Sequence, residues 1–432
     1  MLPINLPQNA DYDARLNELV AEARKNSPFY AELYSGLPLE GDITLSQLPL
    51  VDHSRYWASY HDSERTVMTR CQNDGVVLKT GGTTGIPKFT SYSQIELRRT
   101  ASLLAEGLLH AGLRAGDRVA NLFYAGDLYG SFLLHILSII SLPIPAVQIP
   151  IGGLMPPAST ARLLKTCRVT AVLSTVTSLV QLSSYCRPLN ETFPAVKAVM
   201  FGGEPMFDDQ VAAVSYLFPN ATIRSCIYGS IDAGVVAVSA RAENPAEHVV
   251  LSATAIVEIL VEQDGVLTAT DEPSTPGTLV VTNLIRDLSP MIRYPTGDRA
   301  EWVDKAAGIF RLLGRSGFAV RLGPVSLDIS HLRQLARAAL KNVAINAFQV
   351  SILREDAKDR MEIAIDTSGP PPPGAGEAII EMLNEQRPMF KEHVGMGLIA
   401  PARVCFKSVK DMKINPSSGK LAEMIDLRLV KT

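Results

Sequence analysis

The sequence predicts an α/β protein with a large N-terminal domain and a small C-terminal α+β domain. The large domain is expected to hold parallel-rich sheets with helical crossovers, plus a β-rich subdomain. Three observations carry this. Short apolar runs at 118–123, 171–174 and 196–201 alternate with helical patterns at 127–140, 158–166 and 208–217. That alternation is the pattern of parallel strands joined by helices, with ligands at the carboxyl ends of the strands. From about residue 250 the pattern turns β-rich, with strands expected at 255–262, 277–282 and 299–303. Past Gly314-Arg315-Ser316-Gly317 it changes again, and 432 residues exceed what one small core organises.

In chain order, residues 12–25 place Leu16, Leu19, Val20 and Ala23 on one helical face, and Asn26-Ser27-Pro28 closes the segment. The stretch to about residue 70 is turn-rich, with Leu48-Pro49-Leu50-Val51-Asp52 as its landmark. A long helix is expected over 94–113, carrying Leu97, Ala101, Leu104 and Leu108. The C-terminal part reads as helix 329–341, strands 347–353 and 361–365, helix 377–386 and strand 402–407. The Gly369-Pro370-Pro371-Pro372-Pro373-Gly374 stretch reads as a stiff surface loop. No internal repeat is apparent.

Composition narrows the function class. Hydrophobic content of 47% with 20% charge is that of a globular protein. A net charge of −3 without a basic block gives no sign of a nucleic-acid partner. The five cysteines (Cys71, Cys167, Cys186, Cys226, Cys405) are scattered without a CxxC pair, so neither a disulfide framework nor a cysteine zinc site is indicated. Met1-Leu2-Pro3-Ile4-Asn5 does not read as a signal peptide, and the apolar run from Phe132 to Val147 is short for a membrane span. The expectation is a soluble cytoplasmic protein with no membrane partner.

Chemistry first shows in Thr80-Gly81-Gly82-Thr83-Thr84-Gly85-Ile86-Pro87-Lys88, which follows the apolar-centred run 75–79. Glycines let backbone approach a ligand closely. Hydroxyls and N–H groups can bind phosphate oxygens, and a lysine offsets their charge. A phosphate-gripping loop is one reading; a surface turn that happens to be rich in Gly and Thr is the other. The common NTPase loop is disfavoured, because Lys88 follows Pro87 and precedes Phe89 where Gly-Lys-Ser/Thr is required.

Further motifs follow in a definite order. Phe201-Gly202-Gly203-Glu204-Pro205 and Tyr228-Gly229-Ser230-Ile231-Asp232 each follow a strand. Arg293-Tyr294-Pro295-Thr296-Gly297-Asp298 precedes Gly314-Arg315-Ser316, and Pro416-Ser417-Ser418-Gly419-Lys420 lies near the end. Singly each is weak: a Gly-Gly-Glu turn, a packed tyrosine, a capping aspartate, a solvated lysine. Together, in this order, they are hard to attribute to chance.

In these motifs the sequence resembles the adenylate-forming superfamily of acyl-CoA synthetases, peptide-synthetase adenylation domains and luciferases, over essentially the whole chain. Ala23-Arg24-Lys25-Asn26-Ser27-Pro28-Phe29-Tyr30 and the compact length look like the phenylacetate–CoA ligase branch. The resemblance implies an adenylation core over 1–314, a mobile C-terminal lid over 315–432, and a hinge near 315–318. It also implies a two-step reaction using ATP and Mg2+: a carboxylic acid forms an acyl-adenylate, which then passes to a thiol, usually that of coenzyme A.

Residue by residue, the resemblance implies that Thr80, Gly81, Gly82, Thr83, Thr84, Gly85 and Lys88 grip the β- and γ-phosphates. Asp232 stands at the position of an acidic magnesium ligand, usually glutamate, with Gly229 and Ser230 beside it. Gly203 and Glu204 would line the adenine, Tyr228 would stack on it, and Asp298 would accept from the ribose hydroxyls with help from Arg315. Lys420 would reach the carboxylate and α-phosphate in the adenylating arrangement. Three departures stand out: Ile231 replaces a hydroxyl residue, Gly317 and Phe318 replace an acidic hinge, and 320–324 is compressed. Some members of the branch bind zinc after the Tyr-Gly motif; only His248 lies nearby, so none is expected.

For the acid, Phe123, Tyr124 and Tyr129 would lie along a flat substrate, or else pack the core. Gly202 and Gly234 would leave room for a ring. By analogy with the branch the acid is aromatic or heteroaromatic. A carrier-protein thiol or an amine remains open as acceptor, as do a homodimer and a degenerate nucleotide-binding scaffold.

Overall fold

The structure is a computed structural model, and it describes residues 12–38, 43–61, 65–80, 88–240, 244–263, 266–315, 319–341, 343–413 and 423–428. The described chain forms two compact units that meet in sequence at Leu313 and Gly314.

The first unit is built around a five-stranded parallel sheet in the order Val147–Pro150, Arg118–Leu122, Ala171–Ser174, Ala198–Phe201, Thr222–Ser225. Its central strands are short, continuous apolar runs because both faces are covered. Leu164, Leu179, Leu182 and Val214 pack one face; Leu108, Phe123 and Ile139 pack the other. Helices Gly130–Ile140, Pro157–Thr166, Val176–Cys186 and Asp208–Leu217 make the crossovers. Pattern reading located most of these elements but missed Val147–Pro150, Thr222–Ser225 and Val176–Cys186. The first two are edge strands whose partly exposed residues lack the apolar signature.

An eight-stranded sheet follows, ordered Val266–Ala269, Ala255–Gln263, Gly277–Asn283, Met291–Asp304, Ile309–Arg315, Glu247–Val250, Gly234–Ser239, Tyr228–Ser230. The expected strand at 299–303 is the second half of Met291–Asp304. Arg293 (φ 47°) and Gly297 (φ 78°) interrupt its pairing with register shifts, and such bulges bend and twist a strand. Although Tyr228–Ser230 forms one edge, the Tyr228 hydroxyl reaches Asp298 on Met291–Asp304 at 2.7 Å, so the sheet curls back on itself.

The N-terminal helices Tyr12–Asn26, Pro28–Leu33 and His53–His61 close this unit with an aromatic cluster of Phe29, Tyr30, Tyr34, Tyr56, Trp57, Tyr60 and Tyr294. Ser27 ends one helix and caps the next, its hydroxyl facing the Tyr30 N–H while Pro28 takes the first helical position. Helix Gln94–Ala111 opens on a Ser93/Glu96 capping box and stops at Gly112, whose φ of 118° only glycine adopts readily.

The second unit holds a hairpin, Ala319–Leu322 with Val325–Asp328, in the compressed segment that pattern reading left without elements. Helix Ile329–Leu340 follows, then a four-stranded sheet ordered Arg403–Phe406, Lys358–Thr367, Ile345–Glu355, Met424–Asp426. Helices Ala375–Gln386 and Pro388–Gly395 cover it, and Phe348, Val350, Ile363, Ile379 and Leu383 fill the core. Arg428 ties the last strand down by bonding Asp359 at 2.6 Å.

Candidate active site

Strands Val76–Thr80 and Lys88–Tyr92 pair antiparallel, with Thr80 opposite Lys88, so the two ends of the glycine-rich connection are fixed side by side. Gly81, Gly82, Thr83, Thr84 and Gly85 lie outside the described residues. The incoming strand is anchored by Lys79, which pairs with Asp127, bonds its N–H to Leu128 O at 2.8 Å and lies over the Tyr129 ring. Gly126, Asp127 and Leu128 all have positive φ, a tight turn that brings this backbone against the strand.

At the other end Lys88 is buried. Its ammonium lies 2.7 Å from His53 Nε2 and 5.3 Å from the centre of the Trp57 ring. An ammonium only donates, so His53 accepts at Nε2. His53 and Trp57 are one helical turn apart on His53–His61 and therefore share a face.

Asp232 occupies the turn between strands Tyr228–Ser230 and Gly234–Ser239. The Gly229 and Gly234 positions make this hairpin tight. A side chain on Gly229 would strike Gly234 O, and Gly234 (φ 77°) sits 2.4 Å, at its Cβ position, from the Asn283 amide. The space that pattern reading reserved there for a substrate ring is therefore filled by Asn283, which donates to Ala233 O at 2.7 Å.

The Asp232 carboxylate accepts from Ser230 Oγ, from the Ala233 N–H at 3.0 Å and from Tyr294 Oη at 3.0 Å. Burial pushes this carboxyl up, but the Lys88 charge and these three donors outweigh it and hold the carboxyl below its ordinary value. Tyr294, buried and beside this anion, is pushed well above its usual range and stays a donor. Its oxygen also accepts from Trp57 Nε1 at 3.0 Å. Lys88, His53, Trp57, Tyr294 and Asp232 thus form one cluster.

A second cluster centres on Asp298, which accepts from Tyr228 Oη at 2.7 Å; its own N–H donates to Thr296 Oγ1 at 3.1 Å. Tyr228 packs edge-on to Phe310 and beside His248. His248 is buried, its ring nitrogens 3.1 Å from Ala246 O and from Ser225 Oγ, and burial lowers it to about 4.

The remaining expected residues divide. Glu204 is buried with its carboxylate at the start of helix Val176–Cys186, accepting from the Thr177 N–H at 3.2 Å and from the Thr177 hydroxyl. It holds a helix N-terminus, where a carboxylate is favoured. Gly203 follows with φ 81°. Phe123 stacks on His135 at 4.2 Å, and a side chain at Gly202 would strike Cys226 Sγ and touch the Phe123 ring, so both belong to the core. Tyr124 is buried as well. Arg315 ends strand Ile309–Arg315. Lys420, Gly317 and Phe318 lie outside the described residues.

Sequence reading missed His53, Trp57 and Tyr294. The available signal was the four-residue spacing of His53 and Trp57 just after the 48–52 landmark, and the place of Tyr294 within a motif read mainly for Asp298.

No family model and no curated protein matches this chain. Solved structures do. 2-Hydroxyisobutyryl-CoA ligase, in complex with 2-HIB-AMP and CoA in the thioesterification state, is 19% identical, with 98% of this chain and 91% of that one covered at a TM-score of 0.76. The amide bond synthetase McbA from Marinactinospora thermotolerans is 18% identical, covering 81% and 67% at 0.55. A double mutant of the o-succinylbenzoate CoA synthetase MenE from Bacillus subtilis is 17% identical, covering 81% and 69% at 0.52. At such identities the likeness is one of fold: this chain has the fold of the adenylate-forming ligases, with its larger N-terminal and smaller C-terminal part.

Proposed function

We propose that this protein is an AMP-forming acid–thiol ligase. A carboxylate oxygen attacks the α-phosphorus of ATP, the bond to the β-phosphate bridging oxygen breaks, and pyrophosphate leaves. The thiolate sulfur of coenzyme A, its proton lost to solvent, then attacks the acyl carbon and the bond to AMP breaks. The observation that carries this reading is the Lys88–His53–Trp57–Tyr294–Asp232 cluster at the end of the glycine-rich connection. It joins a buried cation to a stabilised anion, the charges that a phosphate-and-metal site would use.

In this reading Lys88 and the loop 80–88 meet the charge of the departing pyrophosphate. Asp232 fits the single carboxylate that would hold Mg2+, and the ion would supply charge neutralisation at the phosphates. Among the described residues no group of three or more His, Cys, Asp or Glu side chains gathers to hold a metal ion. Asp298, oriented by Tyr228, would accept from the ribose hydroxyls. Gly203 lines the adenine, Arg315 assists at the ribose, and Lys420 comes from a C-terminal unit that moves between the two half-reactions.

The phenylacetate–CoA ligase-like N-terminal motif supports an aromatic acid, though the burial of Phe123 and Tyr124 leaves Tyr129 as the aromatic candidate. Among the described residues no helix is long and apolar enough to cross a membrane. A second reading replaces the thiol by an amine. It is favoured by the shared fold of McbA, an amide bond synthetase.

The deciding experiment is acid-dependent exchange of labelled pyrophosphate into ATP across aromatic acids, followed by product analysis with coenzyme A or an amine. Exchange is expected, and Lys420→Ala should abolish it while sparing ATP binding. No exchange with any acid would overturn the proposal.

A further inference from the structure

The turn that carries Asp232 is held from outside at the carbonyls of the two residues that flank it. Asn283 holds Ala233 O, and the Tyr92 hydroxyl donates to Ile231 O at 2.6 Å. Fixing the Ile231 carbonyl fixes the peptide plane from which Asp232 departs, and with it the direction of the carboxylate.

Tyr92 is itself held. The Arg286 guanidinium lies 3.7 Å from the centre of its ring, completely buried. Arg286 Nη2 donates to Thr90 Oγ1 at 3.1 Å and to Ser91 O at 3.0 Å, both on the strand that begins with Lys88. Its Nε lies 4.0 Å from a carboxylate oxygen of Glu96. Glu96 is committed in turn to the Ser93 and Leu288 N–H groups, at 2.7 and 2.8 Å.

Among the described residues Arg286 Nε and Nη1 have no hydrogen-bond acceptor. A buried charge with unpaired donors is a poor source of stability. What the arrangement does supply is geometry: one cation grips the strand of Lys88 and the ring that pins the turn of Asp232. Burial keeps the Tyr92 phenol protonated and therefore a donor.

We infer that Tyr92, seated by Arg286, is a positioning residue that sets Asp232 relative to Lys88. The inference rests on the reading of Asp232 as the carboxylate serving the metal and phosphates.

Tyr92→Phe tests it, since the ring and its contact with Arg286 remain and only the hydroxyl goes. Two readouts are needed. Amide hydrogen exchange over 228–236 should quicken about tenfold, with the melting temperature close to wild type and other segments unchanged. In pyrophosphate exchange, half-saturation by Mg2+ should rise about 10-fold or more, the usual scale for removing a metal ligand's support. Arg286→Lys, which keeps the charge but loses the flat stacking face, should show a smaller effect in the same direction.

Unchanged amide exchange over 228–236 would overturn the inference. So would quickening spread evenly through the first unit with a matching fall in melting temperature, the mark of a merely structural role. If the wild type exchanges no pyrophosphate with any acid, the reading of the reaction fails, and the amide result still decides the role of Tyr92.

Discussion

Tyr294→Phe is the most informative single change, because it cuts the hydrogen bonds that link the Trp57 indole to the Asp232 carboxylate. Two bonds go: Tyr294 Oη to Asp232 Oδ2 at 3.0 Å, and Trp57 Nε1 to Tyr294 Oη at 3.0 Å. The ring stays, so packing against Tyr56 and His53 is kept and no cavity larger than an oxygen opens. A hydrogen bond to a charged group contributes about 1.5–3 kcal/mol, and a neutral one about 1 kcal/mol. The site is half-buried and Asp232 keeps Ser230 and Ala233, so the lower part of that range applies, roughly 2–3 kcal/mol in all. For a unit of roughly 300 residues that lowers Tm by about 3–5 °C. Losing a donor also removes one of the influences holding Asp232 down, so its carboxyl rises toward its ordinary value. The acid limb of the exchange profile should shift to higher pH. Differential scanning fluorimetry with pyrophosphate exchange from about pH 3 to 8, a window that reaches the ordinary carboxylate range, checks both. A variant with wild-type Tm and an unshifted acid limb would refute the coupling of Trp57, Tyr294 and Asp232.

His135 and His248 are both buried and lowered to about 4, so they stay neutral in the fold while the unfolded chain protonates near its ordinary value. The unfolded state then binds more protons, and stability falls as pH drops from about 6.5 toward 4, by roughly 2 kcal/mol per histidine at pH 5. Urea melts at pH 7 and 5 measure this; His248→Gln should flatten the difference, and an unchanged slope would count against burial as the cause. Gly234→Ala adds a Cβ 2.4 Å from Asn283 at φ 77°, so it strains the turn and displaces the amide from Ala233 O. The expected cost is roughly 2–3 kcal/mol, with pyrophosphate exchange falling alongside. A melt and rate equal to wild type would show that Asn283 moves without consequence.

The parts of this fold that the sequence disclosed are those where one local signal suffices. Ala171–Ser174 and Ala198–Phe201 are buried throughout, so their apolar runs announce central parallel strands. Helix Gln94–Ala111 shows both its period and its Ser93/Glu96 cap. Met291–Asp304 was legible only in part, because Pro295 and Gly297 disguise a bulged strand as a loop. The site divides in the same way. Asp232 and Asp298 stood out because motifs surround them, whereas His53 comes to Lys88 across a separation no periodicity encodes. Glu204 is the reverse case: its motif drew attention to a carboxylate that caps a helix. Phe123 was open between pocket and core, and its stack on buried His135 decides for the core.

The turn 230–233 bears on Ile231, the position at which the family resemblance implies a hydroxyl residue. The Ile231 side chain packs with Leu78 and Leu134, and its Cδ1 lies against Gly130, where any side chain would collide with it. Its carbonyl is taken by Tyr92. Position 231 is thus built into an apolar contact that a hydroxyl would disturb. Nor does Ser230 stand in for it. A hydroxyl has one proton to donate, and that of Ser230 goes to Asp232 while its oxygen accepts from the Ala233 N–H at 3.1 Å. Donating to an α-phosphate would require Ser230 to release Asp232, raising the carboxyl that the cluster keeps ionised. Under the proposed reaction the turn would therefore serve the metal side of the phosphates, and charge developing at the α-phosphate would be left to Lys420. Lys420→Ala is then expected to lower pyrophosphate exchange more than Ser230→Ala, and equal losses would refute this division.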